Sequence, residues 1–536
     1  SLESAVDKNN SNSASAVVSR RFSRRYQIDL VFEGVLVGLV GGGVVTLYRL
    51  SLSNAEKLLR TITGAISGDV LFMALWFVVL VILLMFVGTL MRWEPATAGS
   101  GIPQVDAEVI DHLDMPWHRV IFAKFLEGTA CAFAGLSMGR EGPSVQLGGM
   151  AGKAVSRAIG RKRGEERLLV TCGAAAGMSA AFHAPLTGVL FAIEEIHKEF
   201  TASLIISVMC SSLAADYLVS EVLGVEPVMR LTFVRDLPHG DYLLVIALGV
   251  LCGFLGALHN RGMFSCQNIY SKITRYTPYL RLIIPFMLAG VVAFVWPDLM
   301  CGGDAIFERI VEPEGLALAS VIVLLLGKYL FTTISFGSGA PGGTLFPLVV
   351  MGALIGSGFA LFANSMLGLD LSYYPNFVAL GIAGLFASVV RAPVCGVVMV
   401  FELTGSLDAM LSVSLVSILS YLVANLTKTD PFYEHLLSKQ LDVAIDNPVV
   451  SGLTGEKVVK KIHVGAGSKL EGVLIQDVPW PDGSRVILVE RASAELIPEG
   501  STKLEALDEL LMIMDAEAET DAMLKLDLMT RPSAVR

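Results

Sequence analysis

The sequence predicts an all-α polytopic membrane protein, built of two related halves with broken helices, followed by a small cytoplasmic α+β domain. Three observations carry this. Hydrophobic residues make up 53% of the 536 residues and charged ones 17%, with a mean hydropathy of +0.63, far from a soluble domain. A block beginning Ala184-Pro185 recurs 208 positions later. After Lys439 the apolar stretches give way to short alternating runs, as in small sheets.

In chain order, residues 1–25 are Ser/Asn-rich and close on Arg20-Arg21-Phe22-Ser23-Arg24-Arg25, which predicts a disordered basic segment, cytoplasmic by the positive-inside rule. A membrane domain over 26–437 follows, in halves of about 26–225 and 240–437. Val70 to Met91 carries no charge, and at about 1.5 Å per residue it exceeds a hydrocarbon core of about 30 Å. Further apolar segments lie near 30–50, 168–193, 203–220, 241–258, 282–296, 316–336, 344–367, 377–401 and 409–426. Several are short or Gly-broken, as half-spanning helices are. Lys153, Arg157, Arg161, Lys162, Arg163 and Arg167 predict a second cytoplasmic loop. The seven cysteines, at 131, 172, 210, 252, 266, 301 and 395, show no C-x-x-C spacing, so they read as packing residues, with no metal site. The net charge of −10 says little about a substrate, because much of the acid lies in the tail.

The repeat pairs Ala184-Pro185-Leu186-Thr187-Gly188-Val189-Leu190-Phe191-Ala192-Ile193-Glu194 with Ala392-Pro393-Val394-Cys395-Gly396-Val397-Val398-Met399-Val400-Phe401-Glu402. Gly139–Gly152 has a looser partner in Gly339–Gly352. Halves of this kind are commonly inverted about an axis in the membrane plane, with a substrate site near the midplane. A residue present in both halves serves the shared fold first, so Glu194 and Glu402 read as structural. Glu195 has Leu403 as its counterpart and stands before His197 and Lys198. An unmatched acid at the end of an apolar run suits proton access near the cytoplasmic face, or a plain interfacial acid.

Three glycine-rich segments precede apolar helical runs: Gly99-Ser100-Gly101-Ile102-Pro103, Gly139-Arg140-Glu141-Gly142-Pro143, and Gly339-Ala340-Pro341-Gly342-Gly343-Thr344-Leu345-Phe346-Pro347. Each can aim unpaired N–H groups and the positive end of a helix dipole inward without a full charge, which favours a halide-like anion and permits its release. Glu141 on such a turn sets a side-chain anion in competition with a dissolved one, so its protonation would open a gate. Arg140 reads as a structural partner for carbonyls or carboxylates, and Lys124 and Glu127 as a mutual pair.

With these motifs and the Ala/Pro/Gly…Glu repeat, residues 30–437 resemble the CLC family of chloride channels and proton-coupled chloride antiporters. The resemblance implies that fold with inverted halves, Glu141 as external gate and Glu195 as internal proton glutamate. It implies chloride binding at Ser100, Gly101, Ile102, Gly142, Thr344 and Leu345, completed by Tyr433 of Asp430-Pro431-Phe432-Tyr433-Glu434. Chloride and protons would be the partners, in a homodimer held by membrane lipid, with no nucleic acid. The setting would be a bacterial inner (plasma) membrane, with both termini cytoplasmic. Two departures stand out. The third segment reads Gly343-Thr344-Leu345-Phe346-Pro347 where the family usually has Gly-x-Phe-x-Pro, although main-chain coordination survives that change. No CBS pair follows, unlike in many eukaryotic members. Serine at 100 resembles chloride-preferring members, whereas nitrate-preferring relatives tend to carry Pro. Glu195 favours an antiporter; a passive voltage- or pH-gated chloride channel of the same fold is the alternative.

Beyond a linker at 438–456, residues 457–520 predict strands at Val458–His463, Gly472–Val478 and Arg485–Arg491, a turn or short helix at Leu504–Glu509, and a last strand at Leu510–Met514. A tail at 521–536 ends the chain. The order of these runs resembles the TrkA-C (RCK-C) regulatory domain, which in some relatives dimerises and binds a cyclic dinucleotide. Cyclic di-AMP or another nucleotide is therefore the candidate ligand of an otherwise cofactor-free protein, and a dimerising or stabilising tail is the other reading. A cation transporter lacks support, since no Thr-Val-Gly-Tyr-Gly filter occurs. An intramembrane hydrolase would need Ser100 or Ser338 beside His183 or His197. The chain thus reads as a transporter and not an enzyme.

Overall fold

A computed structural model describes residues 3–161, 163–198, 202–224, 231, 236–273, 278–311, 316–445, 457–481, 483–491, 494–515 and 519–530. The chain divides into two units, Ser1–Asp442 and Val443–Arg536, each treated by itself.

Among the described residues, the first unit holds two series of eight helices and most of a further helix after them. The first comprises α1 (Glu3–Ile66), α2 (Val70–Trp93), α3 (Ile102–Val109), α4 (Trp117–Ala134), α5 (Glu141–Ile159), α6 (Arg163–Phe182), α7 (Pro185–Phe191) and α8 (Ala202–Leu223). The second comprises α9 (Tyr242–Ile273), α10 (Pro278–Val295), α11 (Asp304–Val311), α12 (Leu318–Gly337), α13 (Leu345–Leu367), α14 (Tyr374–Val390), α15 (Pro393–Thr404) and α16 (Met410–Leu426). A 3-10 turn leads into the short third helix in both, at Pro95–Thr97 and Pro297–Leu299. Packing repeats as well: α1 lies on α6 and α8 as α9 lies on α14 and α16, and α5 lies on α6 as α13 lies on α14. Equivalent residues Gly139 and Gly343 form an antiparallel bridge, each N–H reaching the other's carbonyl at 2.7 and 2.8 Å. The bridge gives the two turns a local two-fold, as expected of inverted halves.

Among the described residues, eight helices are long and apolar enough to cross a membrane. On α2 the apolar residues Leu71, Phe72, Val78 and Ile82 lie exposed, as a lipid-facing surface would. Hydropathy fails in two ways. The apolar stretches 168–193 and 377–401 each split into two helices, with left-handed backbone at His183 (φ 57) and Arg391 (φ 71) just before Ala-Pro. Helices α4 and α5 escape an apolar window because of Lys124, Glu127 and the glycines around 141–152, although all are buried.

Several buried charges are given partners by the backbone or by one another. Lys124 Nζ donates to the carbonyls of Thr97 and Gly99, both at 2.7 Å, and Lys328 at the equivalent place donates to Leu299 and Cys301 at 3.1 and 2.7 Å. Glu127 accepts from Thr97 Oγ1 at 3.0 Å. In place of the expected Lys124–Glu127 pair, the two side chains make three bonds to the same turn. Lys153 lies inside α5 rather than on a loop: it is buried and meets Glu108 and Asp114 at 2.5 Å. Lys162 lies outside the described residues. Where disorder is expected at the N-terminus, α1 continues back to Glu3; the side chains of 1–27 lie outside the described residues.

After α17 (Phe432–Ile445), the second unit holds β1 (Lys457–His463), β2 (Arg485–Arg491), β3 (Ala494–Leu496), β4 (Glu509–Asp515) and α18 (Glu519–Thr530). The sheet order is β1-β4-β2-β3, all antiparallel, with Ile462 opposite Leu510 and Val489 opposite Leu510 from the other side. Period-2 alternation sends Ile462, Val489, Leu510, Met512 and Met514 into one core. Two corrections follow. Residues 472–478 are not a strand but a looped segment with a 3-10 turn at Ile475–Asp477, tied to Gly500 and Thr502 by backbone bonds. Ala522 and Leu526 of α18 enter the core, so the domain runs past the expected limit at 520. The expected linker 438–456 is helical to Ile445, and its remainder lies outside the described residues.

Candidate functional site

The three glycine-rich segments meet. Gly99 N–H reaches Gly339 O at 2.9 Å and Gly342 N–H returns to Gly99 O at 3.1 Å, beside the Gly139–Gly343 bridge. This brings together the first turns of α3, α5 and α13, whose leading N–H groups have no partner within their own helices.

Glu141 opens α5 and is fully buried. Its Oε1 accepts the Leu345 N–H at 2.5 Å, and its Oε2 has no partner. A side chain could not replace the glycines around it: a Cβ on Gly139 would lie 2.1 Å from Oε2, and one on Gly343 2.2 Å from Oε1. The carboxylate therefore sits on the helix terminus where the sequence places an anion. Ser100 adjoins Gly142, whose added Cβ would stand 2.4 Å from its Oγ. That hydroxyl is buried with no partner, and most buried side-chain donors do have one. Gly101, at φ 98, caps α3, and Ile102 begins it. Thr344 caps α13 and Leu345 begins it.

Tyr433 opens α17 with Phe432 and is 1% exposed. Its ring lies edge-on to Phe191 at 6.1 Å, it hydrogen-bonds with Thr344, and Glu141 and Glu195 are among its electrostatic neighbours. The nine predicted site residues thus fall into a cluster of eight around Glu141, with Glu195 apart. Glu195 is buried on a π turn, Ala192–His197, and lines a cleft with Glu194, Lys198, Arg391, Tyr421 and Glu434. In the second half, the matching helix α15 stays regular through Glu402 and Leu403. Symmetry breaks at the unmatched acid, and π turns of this kind recur at functional positions.

Glu194 and Glu402 do what repeated residues should. Glu402 accepts from Leu186 N–H at 2.8 Å and from Thr187 N–H and Oγ1 at 2.6 Å. Glu194 accepts from Cys395 N–H at 2.9 Å. Each helix leaves its own Ala N-cap without a side-chain bond, so each half caps the other.

Arg140 differs from expectation: its guanidinium lies 5.6 Å from the Phe346 ring, and its Nε has no partner. It lines a cavity of about 180 Å³ with Tyr48, Glu56, Asp304 and Gly139, which neither Tyr433 nor Glu195 lines. Sequence reasoning missed Asp106. It is 3% exposed on α3, has Glu195 and Lys198 as electrostatic neighbours, and leaves Oδ1 unpartnered. An acid within a mostly apolar helix after Gly-Ser-Gly was the available signal. The acidic group Glu108, Asp114 and Glu166 is filled by Lys153 and Arg163, a salt-bridge network and not a vacant metal centre. The serine–histidine pairings do not form: Ser338 Oγ donates to Ser335 O at 2.7 Å, His183 pairs with Asp216 at 2.8 Å, and His197 meets Thr171 at 3.1 Å.

Residues 82–425 match the family described as "Voltage gated chloride channel", and residues 461–526 match the TrkA-C domain. The chain is 32% identical over 425 residues to the H(+)/Cl(-) exchange transporter ClcA of Vibrio cholerae serotype O1 (strain M66-2), covering 77% of this chain and 90% of the relative. It is 30% identical over 363 residues to ClcA of Yersinia pestis bv. Antiqua (strain Angola), covering 65% and 74%. The solved structure of a slow cyanobacterial Cl-/H+ antiporter superposes with a TM-score of 0.73 at 24% identity, over 77% of this chain and 98% of that one.

Proposed function

We propose, for a chain that belongs to the voltage gated chloride channel (CLC) family, that it exchanges chloride for protons through a glutamate gate. One observation carries the reading: the Glu141 carboxylate occupies the meeting point of three helix N-termini, bonded to Leu345 N–H, where a halide would otherwise accept. Its relatives' names as H(+)/Cl(-) exchange transporters support the choice of ions.

An arriving chloride competes for the Leu345 and Gly142 N–H groups and the free Ser100 hydroxyl. Protonation of Glu141 removes its charge, ends the competition and lets the anion pass. Partial charges hold the ion without trapping it. Glu195 takes the proton on the side away from the gate, and Tyr433, which counts both acids as neighbours, narrows the anion route between them. The working unit is a homodimer in the bacterial plasma membrane with both termini cytoplasmic. The exposed apolar residues Leu186, Val394, Ile418 and Leu422 of α7, α15 and α16 support a protein partner or lipid on that face. The TrkA-C domain regulates transport, with a cyclic dinucleotide as its candidate ligand.

The test is proton flux into liposomes holding the purified protein, driven only by a chloride gradient with the membrane potential held at zero. Uphill proton movement is the expected result. Chloride movement with no proton flux would make the protein a passive channel instead.

A further inference from the structure

We infer that an apolar pocket beside His259 binds a lipid-soluble alcohol, an apolar body carrying one hydroxyl donor. The pocket, about 100 Å³, is lined by Leu255, Leu258, His259, Leu325, Leu326, Tyr329, Met351, Ile355 and Leu385, on helices α9, α12, α13 and α14. Its rim is lipid-facing in character: Leu258 is 62% and Leu326 54% exposed, on two helices long enough to span. His259, only 5% exposed, brings the one polar side-chain atom of this lining that lacks a partner, Nε2.

The surrounding bonds decide what Nε2 needs. Asn260 Nδ2 donates to Val389 O at 3.1 Å and to Asp430 O at 3.0 Å, so its Oδ1 faces His259 Nδ1, 3.1 Å away. That oxygen only accepts, hence Nδ1 carries the hydrogen and Nε2 presents a bare lone pair. Tyr329 cannot supply a donor, because its hydroxyl already goes to His259 O at 3.2 Å. A water would find one polar partner in an otherwise apolar lining, where it needs two to four. A bilayer acyl chain fills the space but leaves the lone pair unmet. An alcohol satisfies both, with its chain running out between Leu258 and Leu326. Its site adjoins the inner constriction, since the His259 ring lies 6.0 Å from that of Phe432, the neighbour of Tyr433.

The experiment uses the full chain in liposomes with two photoactivatable probes, a diazirine-bearing octanol and its methyl ether, at matched membrane concentrations. Crosslinks are mapped by mass spectrometry. One hydrogen bond predicts that the alcohol labels residues 255–259 and 325–329 about tenfold more than the ether. His259→Phe should lower alcohol labelling to the ether's level, and Leu326→Trp, at the exposed mouth, should reduce it too. Equal labelling by alcohol and ether would overturn the inference in favour of ordinary lipid. So would a His259→Phe protein that elutes as wild type yet keeps the preference. Should His259→Phe fail to fold, undiminished labelling in Leu326→Trp is the overturning result.

Discussion

At the scale of the residue, Glu141 and Glu195 differ in what their surroundings allow. Glu141 touches backbone N–H groups that an anion can use, so Glu141→Gln should abolish proton coupling and pH dependence while chloride still passes. Persisting uphill proton movement in that variant would defeat the gate. Glu195 touches none of the glycine segments, so Glu195→Gln should cut proton flux at least about tenfold, a change of about 1.4 kcal/mol in the proton step, with chloride flux retained. Unchanged proton-to-chloride ratio would move the internal acid elsewhere, and Asp106 would be the next residue to neutralise. The meeting of Ser100 and Glu141 was legible because three glycine-rich segments each precede an apolar helix. Asp106 was not, since burial of a single acid is decided by what packs over it.

Among elements, the reciprocal caps hold the broken helices in place. Deleting the Glu402 carboxylate strands three donors at the start of α7, while deleting that of Glu194 strands the Cys395 and Val394 N–H groups at α15. Glu402→Ala should therefore cost about 1–3 kcal/mol and Glu194→Ala less, read from thermal unfolding in detergent. The reverse order would mean the caps are not what stabilises these turns. Repeat logic at this scale succeeded: the matched glutamates proved structural, and the unmatched one lies on a π turn. Hydropathy did worse, because α5 is covered by protein along most of its length and needs no lipid-compatible composition.

For the whole molecule, two units imply two unfolding transitions, and the second should carry its own acid sensitivity. Asp508 is fully buried; burial raises its pKa, but bonds from Arg491 at 2.7 and 2.8 Å and from Glu505 N–H at 2.8 Å outweigh that and hold it below the ordinary value. A depressed carboxyl stabilises the fold above its unfolded pKa of about 3.9 and loses that contribution as pH falls through the folded value. The stability of residues 443–536 should thus fall below about pH 4, and Asp508→Asn should flatten that part of the profile. An unchanged acid limb in the variant would assign it to other carboxylates. Here the strands Val458–His463, Arg485–Arg491 and Leu510–Met514 were legible from alternation. The false strand at Gly472–Val478 alternates too, but its backbone bonds go to the 500–504 loop.

By itself the sequence determined the membrane class, the two halves and the family, since composition, repetition and glycine-rich motifs are local properties that survive without coordinates. Only the tertiary structure decided that the repeat-equivalent Gly139 and Gly343 pair with each other, that Glu194 and Glu402 cap across the halves, and that Lys153 is buried in a salt-bridge network. It alone showed that His259 keeps a bare lone pair in an apolar pocket. Each of these depends on which distant backbone group stands opposite a given side chain, and spacing along one chain does not carry that information.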